Sequence, residues 1–269
     1  MHDHTTLCYA LITGASAGIG KALAEECARR KFPVLLVALP GDDLARLAQQ
    51  IRDQYGVKTD YLGIDFLEQD SVMRVWEWCR DRHYAVRLLI NNIGLGGRHH
   101  FEELQPEQIT QMIRLNIQVT TQLTRVFIED LKTHRPAYIL NVGSAAGFLH
   151  VPYKAVYSAT KAYIYSFSRA LRTELRSQGI YVSVLCPGGV SHKQDPVVHQ
   201  KINGWLFRSA HEKPEYVARV ALDGLFQRRK TITPGWMSTA YYWLSRWMPP
   251  AWLDKVMHRL FAESEKNLL

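Results

Sequence analysis

No apolar stretch in the 269-residue chain reaches the roughly 18–20 uninterrupted residues that a bilayer-spanning helix needs, so a span of that kind is excluded. Cysteine is scarce. Cys8, Cys27, Cys79 and Cys186 are widely spaced and form no C-x-x-C pair, which argues against a disulfide framework and suits a reduced intracellular protein with buried thiols. Metal-ligand patterns are also lacking: the histidines, His99-His100 among them, fall into no H-E-x-x-H arrangement, so surface histidines and no metal site are expected. The polar start, Met1 to Thr6, runs directly into a short apolar strand and leaves no room for a signal peptide, so a cytoplasmic location is expected.

Basic residues outnumber acidic ones, 33 to 25, for a formal charge of +8. This favours anionic ligands: a phosphorylated cofactor, an acyl carrier, nucleic acid or an anionic membrane. The excess is scattered, with Arg228-Arg229-Lys230 the one compact run and no helix-turn-helix or zinc-finger pattern, so solvated surface is favoured over a nucleic-acid patch. With 47% hydrophobic and 22% charged residues the composition is that of a globular protein, and one domain over residues 1–269 is expected.

Short apolar runs alternate with helical patterns along the chain. Strands are expected at Tyr9 to Thr13, Val34 to Ala38, Thr59 to Ile64, Arg87 to Asn91, Ala137 to Val142 and Tyr181 to Cys186. Helices are expected at Gly20 to Arg30, Asp42 to Tyr55, Glu68 to Arg82, Pro106 to Leu131 and Ala155 to Ser177. Runs such as Val34-Leu35-Leu36-Val37 are apolar on both faces, as parallel strands covered on two sides must be. The pattern predicts an α/β fold: a doubly wound, mostly parallel sheet of about seven strands with helices on both faces and a C-terminal helical tail. Ligands then bind just beyond the carboxyl ends of the strands.

Function is therefore sought immediately after each strand. After the first comes Thr13-Gly14-Ala15-Ser16-Ala17-Gly18-Ile19-Gly20, a glycine-rich turn entering a helix, which serves either as a tight turn or as a phosphate cradle of free helix N–H groups. Asp65 follows the third strand, placed either to accept from an adenine amino group or to cap the helix near Glu68. Asn91-Asn92-Ile93-Gly94 ends the fourth, where Asn91 can anchor neighbouring strands and Gly94 can be a turn glycine.

The fifth strand ends in Asn141-Val142-Gly143-Ser144, and Tyr157 and Lys161 follow, four apart and thus on one helical face. An ammonium beside a phenol favours the phenolate, so the tyrosine pKa is expected to fall toward working pH, as a general acid/base needs. Ser144 can hold a substrate oxygen. Asn116, mid-helix, is unfavourable there unless its amide is used, for instance to bind a water linking Lys161 to solvent. Singly, each has a plain structural reading: core tyrosine, solvated lysine, strand-end cap, helix kink.

Taken together, Thr13-Gly-x-x-x-Gly-x-Gly20, Asp65, Asn91-Asn-x-Gly94, Asn116, Ser144, Tyr157-x-x-x-Lys161 and Pro187-Gly188 resemble the classical short-chain dehydrogenase/reductase family over roughly residues 7 to 190. The resemblance implies a Rossmann fold and reversible hydride transfer between a nicotinamide cofactor and a carbonyl or secondary alcohol. It makes Asn116, Ser144, Tyr157 and Lys161 catalytic, with Tyr157 giving the proton and Lys161 also holding the nicotinamide ribose. Cofactor contacts are implied at Gly14, Ser16, Gly18, Ile19, Gly20, Asp65, Asn92, Gly94, Tyr157, Lys161, Pro187, Gly188 and Val190. Three departures stand out: Ile93 replaces an alanine, His192 stands where a threonine is common, and Ala38-Leu39-Pro40 offers no acid to select NAD. With Ser16 and the positive charge, that leans to NADP; Asp42 and Asp43 are read as caps of the next helix.

Residues 191–213, with Trp205, Leu206 and Phe207, are read either as a substrate lid or as ordinary packing. Residues 234–261 read as two aromatic-rich helices, Trp236 to Trp247 and Ala251 to Phe261, broken at Pro249-Pro250. Packing or a subunit contact is favoured for them over a membrane interface. The expected partners are a hydrophobic ketone or oxoacyl-type substrate and a second copy of the chain, as homodimer or homotetramer. The rival readings are a non-catalytic nucleotide-binding redox sensor and a membrane-peripheral scaffold.

Overall fold

The computed structural model describes residues 7–97, 99–190, 211–249 and 251–255. Seven strands form one sheet in the order β3-β2-β1-β4-β5-β6-β9, and every pairing in it is parallel. They are β1 Cys8–Thr13, β2 Val34–Ala38, β3 Thr59–Gly63, β4 Ala85–Asn91, β5 Ala137–Val142, β6 Ile180–Leu185 and β9 Thr231–Ile232. The chain winds outward from β1 to β3, then returns to β4 on the other side of β1. That reversal opens a crevice between the ends of β1 and β4.

One face of the sheet is covered by α1 (Gly18–Arg29), α2 (Asp42–Tyr55) and α7 (Pro214–Phe226), whose Leu23, Leu47 and Leu222 meet Ile12, Leu36 and Leu140. The other is covered by α3 (Ser71–Asp81), α5 (Thr120–Thr133) and α6 (Ala155–Leu175), whose Val75, Phe127 and Leu171 meet Leu11, Leu89 and Val182. Both strand faces are thus dry, which explains the unbroken apolar runs. Cys27, Cys79 and Cys186 are buried free thiols, and burial pushes Cys79 and Cys186 up to about 12.

Three expectations need correction. The long helix read over Pro106 to Leu131 is α4 (Pro106–Ile113), a wider π-helical stretch at Arg114–Val119, and α5. The helix read from Glu68 begins at Ser71, since residues 65–68 close a turn through Glu68 N–H donating to the Asp65 carbonyl. Asp42 and Asp43 do not cap α2; Gly41 does, and the two acids lie in the first turn, where they complement the helix dipole.

Two short strands outside the main sheet, β7 (Gly189–Val190) and β8 (His211–Glu212), pair in parallel. Of the stretch read as a lid, 191–213, residues 191–210 with Trp205, Leu206, Phe207 and also His192 lie outside the described residues, and 211–213 hold β8 and Lys213, the N-cap of α7. The tail helix α8 spans Trp236–Trp247 as expected, and residues 251–255 are helical beyond Pro249. Among the described residues no helix is long and apolar enough to cross a membrane.

Candidate active site

The glycine turn lies in the crevice between β1 and β4. Gly14 adopts a φ of +63°, and a Cβ on Gly20 would stand 2.0 Å from the Gly14 carbonyl oxygen, so the turn closes on itself only with glycine there. No side chain caps α1, and its first N–H groups face this turn. Asn92 holds the arrangement from β4: its Nδ2 donates to the Thr13 and Gly14 carbonyls at 3.0 and 3.1 Å. Thr13, which the sequence reading did not single out, completes the clasp, its Oγ1 accepting from Asn92 N–H and Ile93 N–H.

Asn91 takes its structural role. Its Nδ2 donates to Asn141 Oδ1 and Thr124 Oγ1, binding β4 to β5 and α5. Asp65 sits just past β3 with Oδ1 accepting from Leu67 N–H at 2.8 Å, which fixes the turn rather than capping a helix. Pro187 and Gly188 follow β6, the Pro187 carbonyl accepting from Ala145 N–H at 2.8 Å, and Val190 pairs in register with Glu212.

The four candidate catalytic residues converge beside this crevice. Ser144, directly after β5, accepts from Ala146 N–H at 3.1 Å and opens the 3₁₀ turn Ala145–Phe148. Its side chain also hydrogen-bonds the Tyr157 phenol. Lys161 Nζ lies 5.7 Å from the Tyr157 ring centre and donates to the Val142 carbonyl at 2.9 Å. Asn116, fully buried in the π-helical stretch, uses both Nδ2 hydrogens, on the Leu95 carbonyl and Thr160 Oγ1, and accepts from Leu95 N–H at 2.7 Å. One Oδ1 lone pair is left over. The widened turn rotates this amide inward to grip the chain leaving β4, a use of π-helix common at functional sites. Gly94 lies over the junction, where an added Cβ would come 2.9 Å from Asn116 Oδ1 and 3.3 Å from Lys161 Nζ.

The expected fall in the Tyr157 pKa is not met. Burial pushes the phenol up, with the Ser144 hydrogen bond drawing it partly back, and burial pushes Lys161 from 10.5 down to about 8. The ammonium is turned to the Val142 carbonyl, so low dielectric dominates both groups. Lys161 thus destabilises the fold: below pH 8 its proton is held in an unfavourable site, and stability rises with pH between about 8 and 10.5 as the unfolded chain binds the proton more firmly. Lys161→Met is expected to raise stability at pH 7 by on the order of 1 kcal/mol, after discounting the abandoned Val142 carbonyl, and to flatten that pH dependence while removing activity. Thermal melts at pH 7 and pH 10 check it.

A cavity of about 150 Å³ adjoins Tyr157, walled by Phe101, Leu104, Met112 and Val156, with His99 and Lys154 at its polar side. Lys154 Nζ stands 5.6 Å from the Tyr157 ring centre. The histidine pair, read as plain surface, belongs to this wall: His99 N–H donates to the Tyr153 carbonyl, and the His100 ring meets Tyr153 edge-on. Tyr153 itself holds a φ of +61°, the kind of backbone strain that gathers at functional sites. The nearby Gly96-Gly97 was the one sequence hint of a bend there.

The profile of the short chain dehydrogenase family matches residues 9–201. The chain belongs to the short chain dehydrogenase family. Its seven-stranded parallel sheet is the fold of that family. Among curated relatives, very-long-chain 3-oxoacyl-CoA reductase-A of Danio rerio is 32% identical over 194 residues, 70% of this chain and 60% of that protein's length. Among solved structures, a short-chain dehydrogenase from Sphingobium yanoikuyae in complex with NADPH is 28% identical, with a TM-score of 0.78 over 95% of this chain and 96% of that one. The bulky-bulky ketone specific alcohol dehydrogenase from Comamonas testosteroni is 27% identical, with a TM-score of 0.74 over 92% and 97%.

Proposed function

We propose that this chain, acting as one domain, transfers a hydride between NADP(H), or NAD(H), and the carbonyl or secondary alcohol of a hydrophobic ketone or oxoacyl-type compound. The observation that carries the proposal is the gathering of Tyr157, Ser144 and Lys161 at the carboxyl edge of the sheet, between a glycine cradle and an apolar cavity. The cradle suits a pyrophosphate, because a Cβ at Gly20 has no room and the first α1 N–H groups lack a side-chain cap. Gly14, Ser16, Gly18, Ile19 and Gly20 would hold the phosphates, Asp65 the adenine, Asn92 and Gly94 the floor, and Pro187, Gly188 and Val190 the nicotinamide. When bound, that nicotinamide supplies or takes the hydride. Ala38 and Leu39 leave the 2′ position without an acid, which supports NADP, as does the NADPH in the Sphingobium relative.

In the direction of reduction, Tyr157 gives its proton to the substrate oxygen while Ser144 holds that oxygen in place. Burial keeps the phenol protonated at neutral pH, which suits a proton donor. Lys161 stabilises the phenolate left behind and holds the ribose, and the spare Asn116 lone pair can seat a water on the proton's way back.

The substrate class rests on the cavity wall and on what the relatives are named for, a very-long-chain oxoacyl-CoA and bulky-bulky ketones. It predicts that kcat/KM rises about fourfold per added methylene until the cavity is filled. Loss of the reduced-nicotinamide absorbance, followed with NADPH and NADH over ketones of graded chain length, checks it. Turnover of small polar ketones alone would overturn the substrate class; binding of both cofactors with no turnover would favour the redox-sensor reading. The remaining partners in this reading are a second copy of the chain, through α4–α5 and α6, where Ile113 and Tyr163 are exposed, and a membrane surface met by the C-terminal tail.

A further inference from the structure

We infer that α8 and the turn after it seat the protein on an anionic lipid surface, with a row of tryptophans in the headgroup region. This deepens the membrane contact proposed above and does not depend on the hydride-transfer reading. Trp236, Trp243 and Trp247 follow one another at spacings of seven and four, so at 3.6 residues per turn they fall within an arc of about 40°. They are 60%, 53% and 80% exposed, and Trp252, past the proline turn, is 68% exposed. Ser238, on the opposite side of the helix, is buried. The inner side is well anchored: Tyr242 meets Phe148 edge-on, and Tyr241, Met248 and Leu253 pack on Leu149 and Val151. The tyrosines therefore do the packing expected of the tail, while the indoles stay mostly open to solvent, Trp243 resting edge-on against Tyr242.

Exposed large apolar groups in a row mark a contact surface. Three features favour lipid over protein as its occupant. Indole has an apolar body and one polar N–H, which fits the boundary between acyl chains and headgroups. Two exposed cations lie beside the row, Lys255 and Arg246, the latter with its guanidinium over the Tyr242 ring; together they outweigh the exposed Asp254, which is paired with His150. The chain as a whole carries +8, which attracts it to an anionic bilayer and repels a second copy from the same face. Since α8 lies against the turn that follows Ser144, docking would bring the catalytic edge close to the bilayer, where a long-chain substrate is dissolved.

Flotation of the full chain with vesicles of phosphatidylcholine and phosphatidylserine in equal parts, or of phosphatidylcholine alone, tests this. The wild type is expected to float with the anionic vesicles, and its tryptophan emission to be quenched by brominated lipid. Trp243→Ser with Trp247→Ser is expected to cut the bound fraction more than about tenfold while turnover of a water-soluble ketone is unchanged. The quenching in the wild type stands as a readout even where the double variant folds poorly. Three results would overturn the inference: wild type that stays unbound, flotation equal in wild type and variant, or light scattering that shows the variant turning a dimer into monomer. A chain that floats as described but reduces no ketone would leave this inference standing and sink the enzymatic one.

Discussion

Tyr157→Phe is expected to lower kcat by about 10³-fold and leave cofactor binding intact. The phenylalanine ring fills nearly the same volume, so the cavity wall and the packing of α6 survive, and what disappears is the one proton acidic enough to pass to the substrate oxygen. Ser144 keeps its bond from Ala146 N–H and cannot substitute, because a serine hydroxyl is a far weaker acid. Loss of a single hydrogen bond limits the stability change to about 1 kcal/mol, so a thermal melt separates a chemical defect from an unfolded one. Single-turnover oxidation of NADPH, with cofactor affinity measured by titration, reads the effect. A variant that kept more than about a tenth of wild-type kcat would remove Tyr157 from its role.

The second large effect is expected at Gly20→Val, far from the reacting atoms. A Cβ there would meet the Gly14 carbonyl at 2.0 Å and Asn92 Nδ2 at 2.5 Å, both parts of the clasp that joins β1 to β4. One neighbour is backbone and cannot swing aside, so the turn must open by about an ångström and carry its N–H groups off the phosphate position. Displacements of that size weaken oriented binding by about 100-fold, and that is the expected rise in cofactor Kd. Gly41→Ala is the control: its Cβ would have nothing within 4 Å, and cofactor affinity should not move. Calorimetric titration of both variants settles the matter, and wild-type affinity in Gly20→Val would show that the turn holds no phosphate.

The sheet was legible because burial on both sides demands it. Val34-Leu35-Leu36-Val37 and Leu88-Leu89-Ile90 could be nothing but covered strands, and the glycine turn and the Tyr157–Lys161 spacing fell where a doubly wound fold puts its ligands. Shorter or subtler features escaped. β9 is two residues long, too short for any periodicity, and α7 went unread although Pro214 at its first position was a start signal. The widening at Arg114–Val119 changes which residues face inward without changing composition; the polar Asn116 in mid-helix was its one trace. The direction of the Tyr157 shift was misjudged for a related reason. Spacing along a helix places Lys161 on the right face, but where a four-carbon stem points, and how much water reaches it, depend on Val142 and Cys186 from other strands.

The pairing of β7 with β8 sets Gly189 beside His211 and Val190 beside Glu212, tying the chain that follows Pro187-Gly188 to the chain that enters α7. A substitution that breaks this two-residue ladder is accordingly expected to loosen Pro187 to Val190, the proposed nicotinamide side of the site, while leaving the seven-stranded sheet intact.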